Sequence, residues 1–267
     1  LNKSKLLKLL PIAVIIFLLA ACAKNDLLDD NNSVNSENFA YTAAEALEAN
    51  DNDHGDSEDY EWYSADVISI TLNGTTITEN TSGATVDGST LTITAAGTYS
   101  VTGTLSNGQI IINAGDDDIV RLILNGVNIT NTSTAPIYVA NADKAIIVLV
   151  ESTTNYITDG TSYSSSSDAN APIYSMGDLS FYGDGALIVD GNYEDGIVSK
   201  DGLVVKSGNI TVTAVDDGIR GKDYYVMKGG DVTVTCGGDG LKSDNEDDAT
   251  RGYVYIKEGG LNITATG

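Results

Sequence analysis

The sequence predicts an all-β chain, a parallel β-helix wound as a single-stranded solenoid with coils of about 22 residues. Three observations predict it. Residues 195–214 superpose on 217–236 without a gap, so the pattern recurs every 22 positions. Each unit holds short apolar/polar alternations broken by Gly, Asn and Asp, the signature of strands joined by tight turns. Helical periodicity is absent throughout this region, and the chain has only 3 Pro.

Ahead of the repeats stands a leader. Lys3, Lys5 and Lys8 precede an apolar run over 9–19 that is too short to span a bilayer and ends in Leu19-Ala20-Ala21-Cys22. Small residues before a Cys resemble the bacterial lipobox. That resemblance implies a signal peptide over 1–21 and lipid attachment at Cys22. The protein is then extracytoplasmic, held at a bacterial membrane by its lipid alone. Removing the three leader lysines leaves 11 positive against 38 negative charges, or −27. Residues 22–66 read as an acidic, disordered tether, since such a segment repels itself and buries little. Within it, 40–49 is compatible with a short helix. Asp51-Asn52-Asp53-His54-Gly55-Asp56 reads as a solvated spacer, because its Gly sits one place early for an EF-hand.

From 67 to 267 the chain reads as one β domain. Asp-Gly-Ile turns open the units at Asp195 and Asp217, and Asp239-Gly240-Leu241 opens a third carrying a seven-residue insertion near 245–251. Weaker copies run back through Ala171-Pro172-Ile173 and Ala135-Pro136-Ile137 to Gly108-Gln109-Ile110. Alternation points Ile197, Ser199, Leu203, Val205, Ile210, Val212 and Ala214 inward. Cys236 aligns with Ala214 and reads as an inert core thiol. The chain stops at Gly267, where another turn is due, so a C-terminal continuation is expected.

Composition narrows function. A formal charge of −24 excludes an ordinary nucleic-acid binder. A single His all but excludes imidazole-based triads and zinc sites. In a stacked fold, chemistry is read by column. One outward column is Tyr138, Tyr174, Val198, Arg220, Lys242; another, two places on, is Ala140, Met176, Lys200, Lys222, Asp244. Tyr138, Tyr174, Lys200, Arg220, Lys222 and Lys242 thus form a candidate carbohydrate-binding strip, with cations for carboxylates and rings for sugar faces. Equally, those cations could neutralise the neighbouring acids. Asp195, Asp217 and Asp239 stack with Asp216 alongside, and such like charges one repeat apart repel by about 3 kcal/mol at an effective dielectric near 20. Turn hydrogen bonds, the Lys/Arg columns or a metal must offset this. With Asp244, Glu246 and Asp247 of the insertion, these oxygens favour Ca²⁺.

The run 120–129 (VRLILNGVNI), the Ala-Pro-Ile turns, 215–223 (VDDGIRGKD) and 238–243 (GDGLKS) resemble a bacterial family of carbohydrate-binding β-helix proteins, similar in fold to pectate-type polysaccharide lyases. The resemblance covers 67–267. It implies a right-handed, calcium-binding β-helix that binds cellulose or acidic pectin such as polygalacturonate without catalysis. A polysaccharide lyase using Lys or Arg as base is the enzymatic alternative. A structural adhesin or surface spacer is the third reading.

Overall fold

The computed structural model describes residues 57–164 and 168–267, together with Glu45 and His54. The leader, Cys22 and most of the expected tether lie outside the described residues.

Two 3₁₀ turns, Ser57–Tyr60 and Ser64–Asp66, lead into β1 (Val67–Gly74), which folds back on β2 (Ile77–Thr78). An antiparallel hairpin follows, β3 (Ala84–Asp87) and β4 (Thr90–Ile93). Then come β5 (Gly97–Leu105), β6 (Gln109–Asn113) and the long β7 (Ile119–Thr130). The chain continues through β8 (Ile137–Asn141), β9 (Lys144–Leu149), β10 (Thr154–Thr158), β11 (Ile173–Ser175), β12 (Asp178–Gly183) and β13 (Ala186–Gly191). The two matched units supply β14 (Ile197–Ser199), β15 (Gly202–Val205) and β16 (Asn209–Ala214), then β17 (Ile219–Gly221), β18 (Tyr224–Met227) and β19 (Asp231–Cys236). The last unit gives β20 (Leu241–Lys242), β21 (Tyr253–Ile256) and β22 (Gly260–Ala265).

Among the described residues these strands make two sheets. Fourteen belong to one, along the path β21-β18-β15-β12-β9-β7-β10-β13-β16-β19-β22, with β5 also on β7 and with β1 and β2 beyond it. Eight form the other, in the order β20-β17-β14-β11-β8-β6-β4-β3. Apart from the two hairpin pairs, all pairings are parallel.

β7 explains the curl of the larger sheet. Its first half pairs with β9 and its second half with β10, so one strand carries both wings. In later repeats the same path is cut in two at a corner, where Ser152, Gly183, Gly208, Gly230 and Gly259 all take positive φ. Gly183 shows why glycine recurs there. At φ 111° a Cβ would lie 2.2 Å from the Leu149 carbonyl oxygen, so only glycine lets one corner stack on the next.

The expected single-stranded, right-handed β-helix solenoid is therefore corrected. Two of the three strands of each repeat share one continuous sheet, curled as a half-barrel, and a mixed second sheet covers its open side. Nor is the repeat uniform. The paired positions Ile110, Ile137, Ile173, Ile197, Ile219 and Leu241 are 27, 36, 24, 22 and 22 residues apart. Sequence periodicity reports the strand-and-turn unit but not which strands share a ladder, and β7 joins what the pattern divides.

One apolar core fills the interior. Every residue predicted to point inward, from Ile197 to Ala214, is buried, and Cys236 is a free thiol in the core. Some outward positions are buried too. Val198 is covered by Ala135, Ala169, Ala171 and Tyr174, and Val204 by Tyr224, Val226 and Tyr253.

The tether boundary also moves. Residues 57–66 lie on the outer face of the large sheet, where Tyr60 and Trp62 pack beside Ile123, Ile146, Val148 and Tyr182. Asp59, only 2% exposed, pairs with Lys144 Nζ at 2.7 Å. An acidic count hides the aromatic surface that makes this short stretch dock. His54, expected in a solvated spacer, stacks 3.8 Å from the Tyr224 ring and shares a hydrogen bond with the Tyr253 hydroxyl.

Candidate functional site

The smaller sheet carries the predicted column. Its register pairs Tyr138 with Tyr174, Tyr174 with Val198, Val198 with Arg220 and Arg220 with Lys242. The column is not one exposed strip, however. The connection from β10 to β11 crosses it, burying Tyr174 to 2% exposure. That loop is pinned at Asp159, which accepts the Tyr163 hydroxyl at 2.9 Å and the Asn192 backbone N–H at 2.5 Å. Burial still pushes the Asp159 carboxyl above its ordinary range. Tyr174 is thus corrected from an exposed contact to a support. Its ring lies 5.9 Å from that of Tyr138, which stays half-exposed.

Beyond the loop, the two cations of this column have partners. Arg220 grips Asp244 with two bonds, Nε to Oδ1 at 3.0 Å and a terminal nitrogen to Oδ2 at 2.7 Å. Lys242 Nζ donates to Asp217 Oδ2 at 2.6 Å and sits 3.7 Å from Asp239. The bond to Asp217 raises the Lys242 pKa, the wrong direction for a catalytic base. Lys200 and Lys222 follow one another along the second column with no ion-pair partner among the described residues.

The acidic ladder is satisfied from within. Asp195 Oδ1 accepts the backbone N–H of Asp217 at 3.1 Å, and Asp217 Oδ1 accepts that of Asp239 at 2.8 Å. Asn170 donates to the other Asp195 oxygen at 2.8 Å, as Lys242 does for Asp217. Burial nonetheless pushes the Asp195 carboxyl up to about 6. In the insertion, Asn245 Oδ1 accepts the N–H groups of Asp247 and Asp248, both at 2.9 Å, while Glu246 and Asp247 point to solvent. The expected Ca²⁺ ligands Asp195, Asp216, Asp217, Asp239, Asp244, Glu246 and Asp247 therefore do not converge. Among the described residues no three His, Cys, Asp or Glu are grouped to hold a metal.

What remains open is the Tyr138 end. A cleft of about 360 Å³ lies there, lined by Gln109, Ile111, Ser133, Thr134, Tyr138, Ser164 and Asp168. Ile111 is paired with Tyr138 across β6 and β8, so the cleft floor is the outer face of the smaller sheet. Gln109 is fixed by its amide donating to the Ala135 carbonyl at 2.8 Å. One aromatic ring is thus surrounded by hydroxyls, an amide and the exposed carboxylate of Asp168. Column reading found Tyr138 and missed the others, which come from β6, from the turn before β8 and from the β10–β11 connection. The 36-residue step from Ile137 to Ile173 was the available signal, since the extra residues had to cover something.

The family profile described as "Carbohydrate-binding domain-containing protein" matches residues 87–267. A protein of the same description from Acetivibrio thermocellus is 39% identical over 140 residues, which are 51% of this chain and 49% of the relative. The chain thus spans about half the length of that curated relative. A solved structure, "Structure of the polysaccharide lyase-like protein from C. thermocellum, Gadolinium derivative", is similar at 35% identity with a TM-score of 0.73, over 74% of this chain and 82% of its own. With well over half of its length matched by the profile, the chain belongs to the carbohydrate-binding domain-containing protein family.

Proposed function

We propose that the protein binds a polysaccharide without cleaving it, seating one sugar ring on Tyr138, and that the ligand is a neutral chain rather than an acidic one. The observation that carries this reading is the Tyr138 cleft, where an aromatic face stands among polar groups and no cation is found among the described lining residues. A pyranose presents an apolar C–H face, which packs on an aromatic ring, and equatorial hydroxyls that both donate and accept. Asp168 would accept from two such hydroxyls, while the Ser and Thr hydroxyls meet the rest. Tyr174 backs the Tyr138 ring, so little side-chain freedom is lost on binding.

An acidic glycan would need the cations. Arg220 and Lys242 are held by Asp244 and Asp217, which argues against the expected pectin contact through them. Lys200 and Lys222, on the second column, are the cations that still support an acidic ligand there. Lys242 is not poised as a lyase base, since its bond to Asp217 holds it in its charged form. We further propose that lipid on Cys22 holds the domain at a bacterial cell surface, within reach of such polymers.

Affinity electrophoresis of the full chain through hydroxyethylcellulose and through polygalacturonate tests the reading. Retention by the neutral polymer, reduced about 3- to 10-fold by Tyr138→Ala, is expected from the loss of one stacking contact of about 0.5–1.5 kcal/mol. Stronger retention by polygalacturonate, lost in Lys200→Ala with Lys222→Ala, would sink it. So would release of unsaturated product.

A further inference from the structure

The second open cleft lies on the other sheet. It has a volume of about 450 Å³ and is lined by Glu61, Trp62, Tyr63 and Arg121. Arg121 belongs to β7 of the large sheet, whereas the Tyr138 cleft is floored by β6 and β8 of the smaller one. Its aromatic wall comes from residues 61–63, ahead of the family match at 87–267. Neither that match nor the Tyr138 reading assigns it a role.

This cleft is built on anchored residues. Asp59, buried beneath it, pairs with Lys144 and takes a bond on its carbonyl oxygen from Arg121 Nε at 2.7 Å. That bond orients the guanidinium. Trp62 packs edge-on against Tyr182 with centroids 6.3 Å apart. Tyr63, the next residue, has extended backbone (φ −88°, ψ 129°), and its carbonyl accepts the Asp66 N–H at 3.0 Å. The turn therefore holds the Tyr63 ring out in water, where it is 81% exposed. So large an exposed aromatic beside a half-buried Trp marks a contact surface.

The lining chemistry selects the occupant. Trp62 and Tyr63 both line the cleft and offer aromatic surface to the C–H faces of sugar rings. Arg121 brings donors and Glu61 brings acceptors, so among the described lining residues the charges balance and the pair is matched to hydroxyls that do both. We propose that the Trp62–Tyr63–Arg121–Glu61 cleft is a second binding site for neutral hexopyranose chains, placed on the opposite sheet from the Tyr138 cleft. It rests on the family's carbohydrate binding and not on the Tyr138 site. A protein with sites on two sheets can hold two polymer strands, or two stretches of one, and gains apparent affinity for long chains accordingly.

Trp62 is the only Trp in the chain, so selectively excited emission reports this cleft alone. Full-length protein is titrated with cellohexaose while Trp emission is followed, in the native chain and in Tyr63→Ala and Tyr138→Ala. A saturable change is expected, weakened about 3- to 10-fold in Tyr63→Ala at an unchanged melting temperature and retained in Tyr138→Ala. No emission change at concentrations that saturate gel retention would overturn the proposal and leave the Tyr138 reading standing. A change that Tyr138→Ala abolishes and Tyr63→Ala leaves intact would overturn it equally. Persistence of the signal with no effect of Tyr138→Ala on retention would instead count against the Tyr138 site alone.

Discussion

Replacing Lys242 by Met separates a glycan contact from a charge neutraliser. The substitution keeps the stem and removes the ammonium 2.6 Å from Asp217. Asp217 is then left with the Asp239 N–H at 2.8 Å as its other named donor. Its side chain is 8% exposed and that of Lys242 is 33% exposed, so the pair lies between two regimes. Breaking a buried pair costs about 3–5 kcal/mol, while an exposed one contributes about 0.2–1 kcal/mol. A loss of about 2 kcal/mol is expected, and for a domain of this size that lowers the melting temperature by roughly 4–8 °C. Asp217→Asn in the same background should recover most of it, because the charge left unpaired is then gone. Thermal melts by circular dichroism read the stability, and affinity electrophoresis of the same samples reads the binding. Retention should not change at temperatures well below the melt. An unaltered melting curve with retention by polygalacturonate abolished would refute the reasoning and return Lys242 to the ligand surface.

Other expectations follow from the same geometry. Burial sets the Asp195 carboxyl at about 6, above the usual range near 4, so the folded chain holds a proton there that the unfolded chain has released. Its stabilisation is full below about pH 4 and is lost as pH rises through about 6, a change of about 3 kcal/mol at most. Asp159, Asp178 and Asp201 shift the same way by burial, so the melting temperature should fall between pH 5 and 7, and less so in Asp195→Asn. A melting temperature that rises over that interval would contradict the assignment. Because the ladder oxygens already accept N–H and ammonium donors, a calcium titration after chelation should leave the melt unchanged; a marked rise would mean a site formed by other residues. Cys22→Ser should move the protein from the membrane fraction to the soluble one, and continued membrane association would rule out the lipid anchor.

Much of the local order was legible because strand alternation and turn chemistry are written in neighbouring residues. Ile197 through Ala214 alternate, and the register from Tyr138 to Lys242 follows from aligned Asp-Gly-Ile and Ala-Pro-Ile turns. Sheet membership was not legible. Whether β9 and β10 belong to one sheet depends on β7 running unbroken through the corner, and an Asn-Gly at Asn125 and Gly126 reads locally as a break. Exposure was the second failure. Tyr174 and Val198 sit at outward positions, but the β10–β11 connection, within the long 36-residue step from Ile137 to Ile173, folds across them. For the same reason the open cleft falls where Gln109 meets Ser133 and Asp168, two residues that no column aligns. Charge counting misled at 57–66, where Tyr60 and Trp62 outweigh the acids around them.

A crystal structure of the full chain grown with cellohexaose tests the binding reading most directly. The expected result is a pyranose ring stacked on Tyr138, with its hydroxyls within hydrogen-bond distance of Asp168 and of Ser133 or Thr134. Sugar seated instead along Lys200 and Lys222, or a Tyr138 cleft left without sugar at concentrations that saturate retention, would contradict it.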